Sequence, residues 1–295
     1  AIEFGNWFDA VRSFMPKASV CELIKPYRSD STALLRLWND VRKMEDDIFE
    51  LLQTYSYSAD LDATIFTPAA ENEIVLCLNY GGLYGINNIN HFLQESNTGK
   101  EIWRGVQRYK VGDPVLFNDS ADKFFIRIDD QVPVIHNNMK GRIINFELQN
   151  ANNANECIQF DIEIDRPLID LDSKDMDFSI VRNAPNGNSI IRFSVNKNKS
   201  TDEDDDSVSK ATVPFQIAYA VSIHKAQGLE YDSVKVIITD EIDELITHNI
   251  FYTAITRARK SLKIYWTQSV ERKVLERIEP KDNKKDVFLL RLEIV

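Results

Sequence analysis

The stretch 215–239 reads FQIAYAVSIHKAQGLEYDSVKVIIT, and it decides how this chain folds. Its two apolar runs, FQIAYAVSI (215–223) and VKVIIT (234–239), predict strands that are buried on both faces. The segment HKAQGLEYD (224–232) between them predicts a short helix. The sequence therefore predicts a strand–helix–strand unit with polar residues directly after its first strand.

Strand and helix signals continue on both sides of this unit. The chain shows an apolar helical face from Thr32 to Gln53 with candidate caps at Ser29–Ser31, a buried strand EIVLCLN (73–79), a helix INNINHFLQES (86–96), an amphipathic helix THNIFYTAITRARK (247–260) and a final strand SLKIYW (261–266). Strands that alternate with helices indicate a parallel α/β sheet.

A different rhythm interrupts this pattern from about Tyr109 onwards. Short runs with period-two alternation, such as YKVGDPVLFND (109–119) and CIQFDIEI (157–164), are separated by Asn, Asp, Gly and Lys turns. Such runs predict a small, mostly antiparallel β module, a barrel or a sandwich. The acidic run STDEDDDS (200–207) is interpreted as a solvated loop at the exit of this module.

Composition limits the class of protein. The chain has 295 residues, 43% of them hydrophobic, which is enough for two domains or for one domain with a large insertion. No apolar run approaches a membrane span, and the start shows no signal peptide. Cys21, Cys77 and Cys157 lie far apart without metal-ligand spacing, which favours reduced thiols of a cytoplasmic protein. The net charge of −11 argues against nonspecific coating of nucleic acid by the whole surface.

Three short segments carry candidate site residues. In a parallel sheet, ligands gather at the carboxyl ends of the strands, where His224, Lys225 and Gln227 are expected. Gly228 permits an unusual backbone angle or close approach of a ligand, and a plain polar turn is the open alternative. In TAITRARK (253–260), an arginine fixed by its packed neighbours can stabilise a transferring phosphoryl group, but it can equally be a surface arginine.

The third segment is KPYRSDS (25–31), where Arg28 follows a proline and an aromatic residue and precedes a helix cap. Its backbone is therefore constrained. A second phosphate-binding arginine fits this position, and so does an ordinary surface salt bridge.

Taken together and in this order, the segments resemble the C-terminal half of superfamily 1 helicases of the UvrD/RecD type. SIHKAQGLEYDSV (222–234) resembles their motif V, NIFYTAITRARKSL (249–262) their motif VI, and IKPYRSDSTALL (24–35) their motif IV. The β module, with YKVGDPVLF (109–117) and NNMKGRI (137–143), resembles their SH3-like insertion. The likeness covers about residues 20–275.

This resemblance implies a fold and its boundaries. The expected fold is a RecA-like parallel sheet flanked by helices and interrupted by a small SH3-like antiparallel β-barrel. Residues 1–105 would form the first part of the second RecA-like domain with its preceding linker, 106–210 the insertion, 211–275 the remainder of the domain, and 276–295 a C-terminal tail.

The resemblance also implies roles for single residues. Arg257 and Arg28 would contact the γ-phosphate of ATP held between two RecA-like domains, with Gly228, Glu230 and Gln227 beside the nucleotide. Single-stranded DNA would be contacted by Ser222, His224, Lys225 and Asn79, the last through the N-terminus of the following helix. Tyr84 and His91 are candidate base-stacking groups, with ordinary packing as the alternative.

A nucleotide motor also needs a glycine-rich phosphate loop and an acidic metal site. The pair Gly99-Lys100 is followed by Glu101 and has no glycine five residues earlier, so it is not such a loop. ATP and Mg²⁺ are therefore expected to be bound mostly by an N-terminal RecA-like domain outside this sequence. The first residues of this sequence, AIEFGNWF, resemble those just after that domain's third motif. We expect the chain alone to hydrolyse ATP negligibly.

Two alternatives stay open. One is a stand-alone nucleic-acid-binding or protein-interaction module on a helicase-like fold, and the other is an RNA-directed helicase. Intact Arg28, Glu230 and Arg257 favour the motor, because a binding module gains nothing from residues aimed at a phosphate.

Overall fold

A computed structural model describes residues 15–21, 26–68, 70–118, 125, 134–150, 156–169, 173, 177–184, 186–196 and 212–278. The predicted acidic loop at 200–207 lies outside these residues, as do the AIEFGNWF start and residues 279–295 of the predicted tail. The chain divides into two compact units, one formed by residues 1–86 and 221–295, the other by residues 87–220.

The helices and strands are numbered along the chain. The α-helices are α1 (Thr32–Lys43), α2 (Ile48–Thr54), α3 (Ile86–Glu95), α4 (His248–Ile255) and α5 (Gln268–Glu276). The strands are β1 (Ser58–Ala59), β2 (Glu73–Cys77), β3 (Glu101–Arg104), β4 (Gln107–Lys110), β5 (Pro114–Phe117), β6 (Lys140–Gln149), β7 (Cys157–Ile164), β8 (Ser179–Asn183), β9 (Ser189–Asn196), β10 (Phe215–Ile217), β11 (Ala220–Ser222), β12 (Tyr231–Ile237) and β13 (Ala258–Tyr265).

A five-stranded sheet forms the centre of the first unit, in the order β1-β13-β12-β2-β11. The pairs β1–β13, β13–β12 and β12–β2 are all parallel. Ile74, Leu76, Val234 and Val236 on the central strands are fully buried, as expected for a sheet covered on both faces. The predicted parallel α/β sheet is confirmed.

The predicted helix at 247–260 is wrong in its C-terminal third. Helix α4 ends at Ile255, and Ala258 already pairs with Tyr231 of the neighbouring strand. The residues from Arg257 to Lys260 have high helix propensity, but ladder hydrogen bonds with β12 decide their conformation. The last strand is therefore three residues longer at its start than SLKIYW.

The predicted single strand at 215–223 is also wrong, because it consists of two strands in different sheets. Phe215–Ile217 pairs antiparallel with β5, whereas Ala220–Ser222 joins the parallel sheet next to β2. Both pieces are buried, so the apolar run gives no sign of the change of sheet. Residues 224–228 form turns instead of a helix, with Ala226 N donating to Ser222 O and Leu229 N to Ala226 O, and β12 already begins at Tyr231.

The predicted helix from Thr32 to Gln53 is two helices. Helix α1 ends at Lys43, its C-cap residue Met44 has a φ of 59° in the left-handed region, and α2 starts at Ile48. Ser31 caps α1 as predicted by accepting a hydrogen bond from Leu34 N. The apolar period continues across the break because both helices bury their apolar faces.

The second unit contains a six-stranded sheet in the order β10-β5-β6-β7-β9-β8, in which neighbouring strands are antiparallel. Strands β3 and β4 form a separate hairpin. An aromatic core fills one face of the large sheet, with Phe117, Phe160, Phe193 and Phe215 in tilted or edge-to-face contact. The predicted antiparallel module is confirmed, and its SH3-like barrel form stays a prediction.

A buried carboxylate fixes the turn before β5. Asp113 is 0% exposed and accepts four hydrogen bonds: from Gln94 Nε2 at 2.5 Å and Lys110 N at 2.8 Å on Oδ2, and from Asn97 Nδ2 at 2.7 Å and the Tyr219 hydroxyl at 2.8 Å on Oδ1. Burial first, and then this carboxylate, raises the pKa of Tyr219 above its ordinary value. The network joins α3, β4 and the residues that lead into β11.

Candidate anion-binding site

Arg28 lies in an extended segment that is fastened to the residues between α4 and β13. Its Nη1 donates to Thr256 O at 2.7 Å, and the hydroxyl of the next residue, Ser29, donates to Arg259 O. Ser29 is buried although it lies in no helix or strand. Two contacts on neighbouring residues therefore hold this arginine against motif VI.

Arg257 is buried and its guanidinium is held by neutral acceptors. Its side chain donates from Nε to Thr253 O at 2.9 Å, from Nη1 to Leu229 O at 3.0 Å, and from Nη2 to Thr256 Oγ1 at 3.0 Å. The residue is 8% exposed. All three nitrogens are therefore fixed in direction without a hydrogen bond to a carboxylate.

The charge of Arg257 is costly in this position. Burial lowers its pKa to about 10, and repulsion from Arg28 acts in the same direction, while Glu230 and Tyr252 partly oppose the shift. A guanidinium that loses water and faces a second guanidinium is stabilised by an added anion. The pair Arg257 and Arg28 therefore favours the binding of an anionic group.

Glu230 is the carboxylate of this cluster. Its Oε2 accepts from Arg28 Nε at 3.3 Å and its Oε1 from Arg259 Nη1 at 3.4 Å. Arg259 also lies 3.6 Å from Asp232 Oδ1, and Lys260 lies 2.8 Å from Asp232 Oδ2. The carboxylate thus stands between one arginine of the site and one arginine of the surface.

These groups surround an open pocket of about 450 Å³ within the first unit. The residues that line it are Pro26, Tyr27, Arg28, Trp38, Glu230, Tyr252, Thr256 and Arg257. Tyr27 is 83% exposed, so its ring faces solvent beside the two arginines. A volume of this order accommodates an anionic small molecule.

The turn after β11 aims one of the acceptors of Arg257. Gly228 has a φ of +87°, and a side chain there would meet no atom within 4 Å, so the backbone angle is the reason for glycine. The next carbonyl, Leu229 O, is the one that accepts from Arg257. Gln227 is exposed in the same turn, and its N donates to His224 O.

The residues predicted to contact single-stranded DNA lie at the carboxyl ends of two neighbouring β-strands. Ile223 N donates to Cys77 O, which brings the ends of β11 and β2 together. Ser222 Oγ accepts from Lys225 N at 3.2 Å, and His224 is exposed beyond it. At the end of β2, Asn79 Nδ2 donates to Gly81 O at 3.1 Å.

The site residues therefore fall into two groups. Arg28, Glu230 and Arg257 line one pocket, whereas Ser222, His224, Lys225 and Asn79 lie at a strand edge and are not among its lining residues. Gln227 and Gly228 do not line the pocket either, and Gly228 contributes through the turn.

Sequence reasoning missed the groups that hold the arginines. Trp38 donates from Nε1 to Ile255 O at 3.1 Å and so fixes the end of α4 just before Thr256. Tyr252 and Thr256 line the pocket. Most of the hydrogen bonds that hold the two arginines end on backbone carbonyls. Every residue has a backbone carbonyl, so the sequence does not reveal these contacts.

Within residues 15–278, gaps excepted, no three His, Cys, Asp or Glu side chains are grouped so that they could hold a metal ion. No helix there is long and apolar enough to cross a bilayer.

Residues 217–265 match the family model described as the UvrD-like helicase C-terminal domain. The RecBCD enzyme subunit RecD of Mycolicibacterium smegmatis is 37% identical over 59 residues, which are 20% of this chain and 11% of that protein. RecBCD enzyme subunit RecD of Buchnera aphidicola subsp. Schizaphis graminum is 22% identical over 201 residues, which are 68% of this chain and 26% of that protein. The matched part of this chain is thus about a quarter or less of the length of these relatives.

The Pif1 helicase from Candida albicans has a similar structure, with a TM-score of 0.52 and 15% identity over 92% of this chain and 59% of that chain. At this identity the likeness concerns the fold, and it confirms the RecA-like α/β class. The family model and the RecD relatives confirm the resemblance to the C-terminal half of superfamily 1 helicases of the UvrD/RecD type.

Proposed function

We propose that this chain, which is similar to the C-terminal half of superfamily 1 helicases, is the C-terminal motor half of an ATP-dependent DNA helicase or translocase. The observation that carries the proposal is the buried guanidinium of Arg257, held by three neutral acceptors beside Arg28 in one pocket. A directed, desolvated positive charge of this kind stabilises the charge that develops on a transferring phosphoryl group.

In this proposal the two arginines act on the γ-phosphate of ATP. Arg257 is the fixed donor, and Arg28 approaches from the opposite segment. Glu230, Gly228 and Gln227 would lie on the nucleotide side of the turn. The sequence holds no glycine-rich phosphate loop, so the N-terminal RecA-like domain of a longer protein would bind most of the ATP and its Mg²⁺.

The strand-edge residues would form part of the track for single-stranded DNA. Ser222, His224 and Lys225 follow β11 directly, so a ligand at this edge and one at the pocket are joined by a turn of a few residues. At Asn79, Nδ2 donates one of its two hydrogens to Gly81 O, and the buried Oδ1 has no hydrogen-bond partner among the described residues. An acceptor suits a base amino group or a water molecule better than a phosphate.

The test measures binding of pyrophosphate to the chain by calorimetry and binding of a labelled oligo-dT by fluorescence anisotropy. Arg257→Ala should weaken pyrophosphate binding about tenfold or more, because each charge-assisted hydrogen bond contributes about 1.5–3 kcal/mol. The matched control Lys260→Ala, at a side chain 70% exposed, should change it less than twofold.

Binding of oligo-dT should persist in Arg257→Ala and fall steeply as salt rises. Unchanged pyrophosphate affinity in Arg257→Ala would refute the phosphate role. Robust DNA-stimulated ATP hydrolysis by the chain alone would refute the division of labour. Tighter binding of oligo-U than of oligo-dT would favour the RNA-directed alternative, and oligo-dT binding without any pyrophosphate binding would favour a stand-alone module.

A further inference from the structure

The carboxylate of Glu230 contacts two arginines that differ in position. Arg28 lines the pocket, whereas Arg259 is an exposed residue near the start of β13. The contacts are of similar length, 3.3 Å to Arg28 Nε and 3.4 Å to Arg259 Nη1. The carboxylate of Glu230 is therefore paired with one arginine of the pocket and with one exposed arginine.

We propose that Glu230 is a resident counter-anion of the pocket, which Arg28 exchanges for a phosphate group of the ligand while Arg259 keeps the carboxylate paired. The ligand class, a nucleotide phosphate, rests on the proposed function. The exchange itself rests on the contacts of Glu230.

Arg28 is built to make this exchange. Its short bond from Nη1 to Thr256 O, 2.7 Å, ties it to the backbone, while its contact with Glu230 is long and both side chains are partly exposed, at 29% and 45%. Exposed ion pairs of this kind are weak, so the pair opens readily. The guanidinium can thus turn about its carbonyl contact without leaving the pocket wall.

Arg259 keeps the negative charge of Glu230 compensated during the exchange. If Arg28 turns to a phosphate, Glu230 loses this partner while an anion approaches it. Arg259 remains at its other oxygen, and Asp232 holds Arg259 at 3.6 Å. The carboxylate therefore stays compensated while the phosphate binds to Arg28 and Arg257.

The consequence is that Glu230 competes with the ligand. Replacing it with the isosteric glutamine removes the competitor and keeps the shape of the side chain. Glu230→Gln should therefore bind pyrophosphate about fivefold more tightly than the unmodified chain, which corresponds to the upper range of an exposed ion pair.

The matched control is Asp232→Asn. It makes the same charge change two residues away, at a carboxylate that contacts Arg259 and Lys260. If Glu230 acts only through overall charge, the two variants should gain the same affinity for pyrophosphate. The exchange predicts that Glu230→Gln gains clearly more affinity than Asp232→Asn.

Arg259→Gln tests the second half of the proposal. Without Arg259, Glu230 holds Arg28 more firmly, so pyrophosphate should bind about threefold more weakly, a change within the range of one exposed ion pair. In the Glu230→Gln background the same change should have almost no effect. If Arg259 simply attracts the ligand, the loss would be equal in both backgrounds. Lys260→Gln controls for the loss of a neighbouring positive charge.

Each variant is also heated with and without pyrophosphate, so that folding is checked on the same samples. Pyrophosphate should raise the melting temperature of Glu230→Gln more than that of the unmodified chain. Equal or weaker binding in Glu230→Gln, while Arg257→Ala still weakens binding about tenfold or more, would overturn the exchange and leave the proposed function standing. Unchanged pyrophosphate affinity in Arg257→Ala would overturn the proposed function itself.

Discussion

Replacing Asp113 with asparagine should destabilise the unit formed by residues 87–220. The substitution changes one carboxylate oxygen into an NH₂ group and removes a charge, with almost no change of volume. All four groups that contact this side chain are donors to it in the structure. An asparagine can accept on only one side.

The magnitude follows from the two orientations of the new amide. If its NH₂ lies at the former Oδ2, it faces both Gln94 Nε2 and Lys110 N, and two buried donors lose their acceptor. If it lies at the former Oδ1, Asn97 Nδ2 keeps its contacts with Val111 O at 3.1 Å and the Tyr219 hydroxyl at 3.3 Å. The Tyr219 hydroxyl, which now donates to Oδ1, can only accept from the new amide, so its own hydrogen loses its acceptor. Asn97 cannot turn over freely, because its Oδ1 accepts from Gly99 N. One unsatisfied donor plus the weaker remaining bonds gives a loss of about 2–4 kcal/mol.

The assay is urea unfolding followed by circular dichroism, with the free energy of unfolding taken from midpoint and slope. Asp165→Asn is the matched control in the same unit, because Asp165 is 48% exposed and its pair with Lys140 is 3.4 Å long. It should cost under about 1 kcal/mol. If Asp113→Asn also costs under about 1 kcal/mol, the four-donor description of this network is wrong.

The remaining predictions concern the first unit. Lys235→Met should lower the free energy of unfolding by about 3–5 kcal/mol in urea, because it leaves the buried carboxylate of Glu73 without the ammonium group now 3.1 Å away; a loss below 1 kcal/mol would contradict a buried pair. Gly85→Ala should prevent folding or lower the melting temperature severely, since its methyl would lie 2.0 Å from Gly81 O. Gly228→Ala, with open space and only a positive φ, should cost about 1–2 kcal/mol by the same measurement. Equal effects of the two glycine substitutions would contradict this ranking.

Much of the parallel sheet could be predicted from the sequence, because its central strands are buried on both faces and appear as unbroken apolar runs. The same property hid the change of sheet between Ile217 and Ala220. A fully apolar run has no alternation that would mark which sheet it joins. Only pairing partners distant in sequence, β5 and β2, decide it.

The predicted helix boundaries were wrong where tertiary contacts opposed the local conformational preference of the sequence. TRARK favours a helix by composition, but β12 offers a free edge of hydrogen bonds to the strand that begins at Ala258. The break at Met44 likewise carries no glycine to mark it, and a non-glycine residue in the left-handed region is uncommon enough to escape a sequence rule.

At the site, the charged residues could be predicted and their supports could not. Arg28, Glu230 and Arg257 stand in segments that resemble motifs, and the structure brings them to one pocket. The positions of Trp38 and Tyr252 depend on how α1 meets α4, which follows from tertiary packing and the hydrogen bond from Trp38 to Ile255 O. Whether Ser222, His224, Lys225 and Asn79 bind a strand stays a prediction.

The way Arg257 is held has a consequence for mutational tolerance. Two of its three acceptors are main-chain carbonyls, those of Thr253 and Leu229, which every amino acid supplies. Sequence drift at those two positions can therefore change the side chains and leave the arginine aimed as before. Only the hydroxyl of Thr256 depends on residue identity. Deep mutational scanning should accordingly find an arginine that tolerates almost no replacement, surrounded by supports that tolerate many.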